Sequence, residues 1–162
     1  MDYAARIHVL DERTELVQGA YLLTDFKTTY PTPAGQKYLY IKKGNQMVRD
    51  DFPHELMMIV REDDGLVIFT GCSHHGVLNT VDAAVEKIAD TPIKALFGGF
   101  HFVGLPFFNH MAETKTSVEN IGRRLMEYPI EKVFTGHCTG RAAYPLLKKC
   151  DGGQGGLLSN GK

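Results

Sequence analysis

Cysteine is scarce in this sequence: it occurs at positions 72, 138 and 150 only, an odd number spread too widely for a disulfide framework. A reduced, cytoplasmic protein is therefore expected. An excess of either charge is also lacking, with a formal net charge of -1, so no field exists to hold nucleic acid or an anionic membrane. No window reaches the run of about 18 apolar residues that a membrane span needs. The opening Met1-Asp2-Tyr3-Ala4-Ala5-Arg6 lacks the charged-then-apolar layout of a signal peptide. What remains is an ordinary globular composition, 43% apolar and 23% charged, over 162 residues, enough for one domain with a real core.

The strongest signal is Leu66-Val67-Ile68-Phe69-Thr70-Gly71-Cys72-Ser73-His74-His75-Gly76. Leu66 to Phe69 is an unbroken apolar run with β-branched and aromatic members, the pattern of a strand buried on both faces. It ends in a thiol, a hydroxyl and two imidazoles. A buried strand that ends in ligand-type side chains before a helix is where α/β proteins place their chemistry.

Other segments read around it. Ile7, Val9 and then Leu16 to Leu23 predict two strands with a polar turn at Asp11-Glu12-Arg13. His8 is read as a surface histidine. Residues 27–36 form a loop rich in proline, threonine and tyrosine, and Tyr38-Leu39-Tyr40-Ile41 is strand-like ahead of a turn at 43–46. Leu56 to Val60 is a further apolar run, and Asp63-Asp64-Gly65 is a hairpin turn joining it to Leu66–Phe69. Such a hairpin over 55–70 brings His54 and Glu55 to the same end as Cys72 and His74. Helices are expected after Asn79 or Thr80, after Ser117, and over 141–149. The apolar loop 102–109 is core filler or a pocket wall, with His110 at the surface or the pocket rim. Cys150 is read as a small packing residue.

Three times a short strand ends in glycine and then histidine: Gly71 with His74, Gly99 with His101, Gly136 with His137. In a layered α/β sheet such ends lie along one edge. Glycine there permits a sharp turn and a close approach. Three imidazoles on one edge, with Cys72 and Cys138 beside two of them, suit a borderline metal such as zinc, with manganese or iron as alternatives.

On these residues the chain resembles the metallo-β-lactamase superfamily, in particular its branch of dihydropterin-aminobenzene-phosphate synthase-like metal-dependent hydrolases. The resembling segments are Phe69 to Asn79, Gly98-Gly99-Phe100-His101 and Gly136-His137-Cys138-Thr139-Gly140. The resemblance implies an α/β fold, the αββα sandwich, and a site with one or two metal ions. It makes His74, His137 and Cys72 metal ligands, and His101 and Ser73 the residues on the catalytic side. Many members end the equivalent strand in Thr-Gly-Asp, whose carboxylate bridges two metals; here Cys72 stands in that place, and Cys72 or His74 takes the role.

The superfamily's His-x-His-x-Asp-His run is absent. It belongs to the amino-terminal half of the sandwich, so the expectation is an incomplete, second-half sandwich over 1–150 and a flexible glycine-rich tail over 151–162. Two functions follow. One is a metal-dependent hydrolase of an ester or phosphoester in a small molecule. The other is an inactive binding or assembly domain, or one half of a split hydrolase. A half-sandwich exposes one apolar sheet face, so the expected partner is a second copy or a complementary amino-terminal fragment.

Overall fold

A computed structural model describes residues 7–10, 13–104, 110–151 and, by backbone, 158–160. The main sheet has the strand order β1 (Thr14–Val17), β2 (Ala20–Leu23), β5 (Met57–Glu62), β6 (Gly65–Thr70), β7 (Ile93–Gly98), β8 (Val133–Thr135) and β9 (Leu158–Asn160). Strands β3 (Tyr40–Lys43) and β4 (Gln46–Arg49) form a separate hairpin. Pairing from β1 to β6 is antiparallel; from β6 to β9 it is parallel. The parallel strands are linked through α1 (Val77–Lys87), α2 (Lys115–Leu125) and α3 (Tyr144–Cys150).

Hairpin β5–β6 forms where the sequence places it, with Glu62 opposite Gly65 and Asp63-Asp64 between them. Its alternation fixes the two faces of the sheet. Ile59, Leu66, Ile68, Leu96 and Val133 are fully buried on one face. There they join Val77, Val81 and Ala84 of α1, Val118 and Leu125 of α2, and Leu147 of α3 in a single core cluster. All three helices therefore cover the same face. The opposite face carries Met58, Val60, Val67, Phe97 and Phe134 half-buried and Phe69 exposed. Rings of Phe69, Phe97 and Phe134 stack in a row across β6, β7 and β8, with centroids 5.0 and 4.5 Å apart. One helix layer on one sheet is the α/β, second-half arrangement expected.

Several local expectations are corrected. The first strands are Thr14–Val17 and Ala20–Leu23, and the chain reverses at Gly19, whose φ of +81° glycine adopts readily. Ile7 and Val9 are exposed and outside any strand; Asp11 and Glu12 of the expected turn lie outside the described residues. Helix α1 begins at Val77 after Gly76, with no side-chain cap. Asn79 is instead buried and bonds across to the 29–30 loop: its Oδ1 accepts from the N–H groups of Thr29 and Tyr30 at 2.9 and 2.8 Å. Thr114, not Ser117, caps α2; its Oγ1 accepts from the Ser117 N–H at 3.1 Å. Residues 158–160, within the segment read as a tail, pair with β8 as the edge strand. The apolar loop's residues 105–109 lie outside the described residues.

Candidate metal centre

Parallel pairing puts the carboxyl ends of β6, β7 and β8 side by side. Three short links lock them. The Gly99 N–H donates to the Gly71 carbonyl at 2.8 Å, the His101 N–H to the Cys138 Sγ at 3.3 Å, and the Phe100 N–H to the Thr139 Oγ1 at 3.0 Å. A Cβ on Gly99 would collide with the Cys138 sulfur, so only glycine lets these strand ends approach so closely.

Segments 71–76, 99–103 and 136–140, sixty-five residues apart from first to last in sequence, thus meet at one rim. Ser73, His101 and His137 have φ of +54°, +48° and +47°, and Phe52 beside them +52°. Non-glycine residues in the left-handed region are uncommon, and they gather at functional sites where surrounding structure holds them there.

Within the rim two groups stand out. Cys72, His137 and Cys138 each offer a ligand atom, and those atoms lie within 4.8 Å of one another. Beside them, the His74 and His101 rings pack with centroids 4.3 Å apart. On its other side His74 stacks on Phe52 at 3.6 Å. Gly35 closes the far side of His101: a Cβ there would lie 3.1 Å from its Nε2 and 2.6 Å from the Val103 carbonyl oxygen.

Three ring nitrogens, Nδ1 of His74 and both nitrogens of His101, are buried with no hydrogen-bond partner among the described residues. Buried polar atoms are nearly always paired, and an unpaired one costs about 1–3 kcal/mol. Three together mark a place built for something else to bind. Burial holds the His101 imidazole down to about 4, with His74 nearby adding to the effect, so it is neutral at physiological pH. Burial likewise lowers His74, against the opposing pull of Glu55 and Asp50. Burial and neighbouring Cys72 push the Cys138 thiol up to about 12. Neutral imidazoles and thiols fit a borderline ion such as zinc better than a hard one such as calcium.

Of the residues singled out from sequence, Cys72, His74, His101 and His137 all reach this rim. Cys72 and His137 sit in the thiol group, while His74 packs on His101. Ser73 is fully buried, with its hydroxyl 3.3 Å from that of Thr70. Cys138, noted from sequence beside His137 at the metal-suited edge but not named among the ligands, completes the thiol group. Glu55, placed at this end by the hairpin alone, has both carboxylate oxygens on the His74-His75 segment. A cavity of about 520 Å³ opens behind the 30–34 segment, lined by Tyr30, Val77, Phe102, Glu113, Ile121 and Arg124 among others, and none of the rim imidazoles or thiols faces it.

The chain superposes on the crystal structure of Tm1679, described as a metal-dependent hydrolase of the β-lactamase superfamily, with a TM-score of 0.75 and 25% identity over 94% of this chain. The fold is metallo-β-lactamase-like. In sequence the chain is similar to 7,8-dihydropterin-6-methyl-4-(β-D-ribofuranosyl)-aminobenzene-5'-phosphate synthase of Methanocaldococcus jannaschii, 29% identical over 102 residues. It is also similar to the uncharacterized protein MJ0448 of that organism, 28% identical over 117 residues. The superfamily resemblance and the branch read from the sequence are both borne out. The chain spans 54% of the solved structure and 32% and 38% of the two curated relatives. No protein-family model matches it. No helix among the described residues is long and apolar enough to cross a membrane.

Proposed function

We propose that this chain carries the metal-binding rim of a metal-dependent hydrolase acting on an ester or phosphoester of a small molecule. One observation carries the reading: three unpartnered, buried imidazole nitrogens stand beside a cluster of two thiols and a third imidazole. Cys72, His137 and Cys138 would hold the ion, with His74 as a further donor from the adjoining pair. The superfamily likeness supports a metal, and zinc suits this donor set best. A bound ion of this kind brings the pKa of water to near 7, so that hydroxide is available at neutral pH.

The chain's own residues supply the rest. His101, neutral at pH 7, has one ring nitrogen to accept a hydrogen bond or a proton and one N–H to donate, neither with a partner among the described residues. Phe52, 8% exposed, stacks on His74, and Gly35 lies against His101, so the two wall that side of the rim. The phosphate in the name of the Methanocaldococcus relative supports a phosphorylated small molecule as the substrate class. Free thiols at all three cysteines agree with a reducing compartment such as the cytoplasm.

Metal content of the purified chain, measured by mass spectrometry, tests this directly. Zinc at one or more equivalents is expected, with loss of metal and of bis(p-nitrophenyl) phosphate hydrolysis in Cys72→Ser/His137→Ala. A metal-free wild type, or a double variant that keeps its zinc, rejects the reading.

A second reading rests on a different observation, the open sheet face. Its apolar side chains run from β2 across to β8, as the inner face of a sandwich does. On this reading the chain works by assembly. A second sheet layer, from another copy or from a separate amino-terminal fragment carrying the missing histidine run, covers the phenylalanine row. Hydrolysis that appears only when such a fragment is added would favour it over independent activity.

A further inference from the structure

We infer that Glu55 is a positioning residue that decides which of two adjacent imidazoles serves the rim. His74 and His75 are neighbours in sequence and equal in chemistry, yet their rings have different surroundings. Glu55 is 7% exposed and sits just ahead of β5, across the hairpin from both. Its Oε1 accepts from the His74 N–H at 2.6 Å, and its Oε2 accepts from the His75 N–H at 2.8 Å. The same Oε2 lies 2.8 Å from the His75 Nδ1. That ring also stacks on Phe26 at 4.8 Å, so His75 is engaged by Glu55 and Phe26 rather than by the other rim imidazoles.

His74 is treated in the opposite way. Its peptide is held at both ends, the N–H by Glu55 and the carbonyl by the Gln36 side-chain amide. Its ring takes no hydrogen bond at Nδ1 among the described residues and stands between Phe52 and His101. Two consecutive N–H groups converge on one carboxylate only where the chain turns sharply. That turn is here, with Ser73 at φ +54° and Gly76 at +94°. A left-handed serine is strained and persists only when its surroundings over-determine it. The Glu55 carboxylate is such a constraint, since its hydrogen bonds to N–H groups are charge-assisted. Burial alone would raise its pKa, yet the His75 ring and the two N–H groups hold it below the usual glutamate range. The carboxylate thus acts through the backbone: it presents His74 and retires His75.

This inference rests on the proposed metal rim for its effect on affinity, but its geometric part stands alone. The test uses the full chain with Glu55→Gln, Glu55→Ala and His75→Phe. Two measurements are made: long-range ¹H–¹⁵N spectra of the histidine rings without metal, and Co²⁺ affinity by visible absorption. Glu55→Ala is expected to shift or broaden the His74 and His101 ring signals and weaken Co²⁺ binding about 10- to 100-fold, the usual range for lost outer partners of a ligand. Glu55→Gln, which keeps one acceptor oxygen and covers the case where the alanine variant does not fold, is expected to lose about tenfold. His75→Phe keeps both backbone bonds and the stack on Phe26, and is expected to stay within about twofold of wild type. A folded glutamate variant with unchanged His74 signals overturns the inference, as does a His75→Phe as damaged as Glu55→Ala. Wild type that binds no Co²⁺ rejects the metal reading, and the ring signals alone then decide the role of Glu55.

Discussion

The two faces of the main sheet have nearly the same chemistry and opposite fates. One presents Ile59, Leu66, Ile68 and Leu96, each at 0% exposure beneath the helices. The other presents Met58, Val60, Val67 and Phe97 on the alternating positions of the same strands, only partly shielded, and Phe69 at 36%. Residues 67 and 68 differ by one step along β6, yet one lies in a closed core and the other on an open apolar surface. The lesson is that strand composition alone says a face wants cover. Whether the chain supplies the cover depends on which side its crossover helices fall.

The largest expected effect lies on the closed face. Leu96→Ala should lower the unfolding free energy by about 3 kcal/mol, as buried leucine truncations do. Phe97→Ala, one residue along on the open face, should cost only about 1 kcal/mol. Urea denaturation of both checks the contrast. Equal losses would mean that the phenylalanine row is covered in solution, and the difference between the faces would dissolve.

The rim where the faces meet gives the next effect. The folded pKa of His101 is about 4 against an ordinary 6.5. The unfolded chain therefore takes up this proton first as pH falls. The stability His101 contributes by being neutral is complete above pH 6.5 and is lost as pH drops from 6.5 toward 4, up to about 3 kcal/mol. Urea midpoints at pH 7 and 4.5, in the presence of a chelator, should show the fall. The fall should be smaller in His101→Asn, a residue that tolerates the left-handed backbone, with His74 supplying what remains. A pH profile identical in both proteins would place the acid sensitivity elsewhere.

Slightly smaller over its whole range is the thiol effect. Cys138, raised to about 12, holds its proton at neutral pH, and a ligating thiolate must release it. Cys138 should therefore contribute about tenfold per pH unit to the rise of zinc affinity between pH 6 and 8, a contribution missing in Cys138→Ser. Competition titrations against a chelating dye check this. The smallest change tests the open face again: Phe97→Asp should leave the fold intact and convert any larger species to the 18.0 kDa monomer in sedimentation. A wild type already monomeric would show that the open face tolerates water.

Much of this was legible in the linear chain because its causes are local. Asp63-Asp64-Gly65 between two β-branched runs dictates a hairpin, and the hairpin formed. The readings that failed were also local, but competed with distant partners. Asn79 is a good helix cap by type, yet its amide is taken by residues 29 and 30. Ile7 and Val9 alternate like a strand, yet the reversal came at Gly19, where the positive φ was available. Cys138 and Glu55 gave little signal because their roles rest on neighbours far off in sequence: the Cys72 carbonyl accepts from the Cys138 thiol, and Glu55 grips residues 74 and 75.

By itself, then, the sequence determined the strand-glycine-histidine endings, the fold class and the gathering of imidazoles at one edge. Periodicity and backbone freedom act over a few residues, and those suffice. Only the tertiary structure decided that His74 faces His101 while His75 turns to Glu55, that Cys138 joins Cys72 and His137, and that one sheet face stays open among the described residues. Those choices depend on inter-strand register and on side chains meeting across dozens of residues, where no local pattern records the partner.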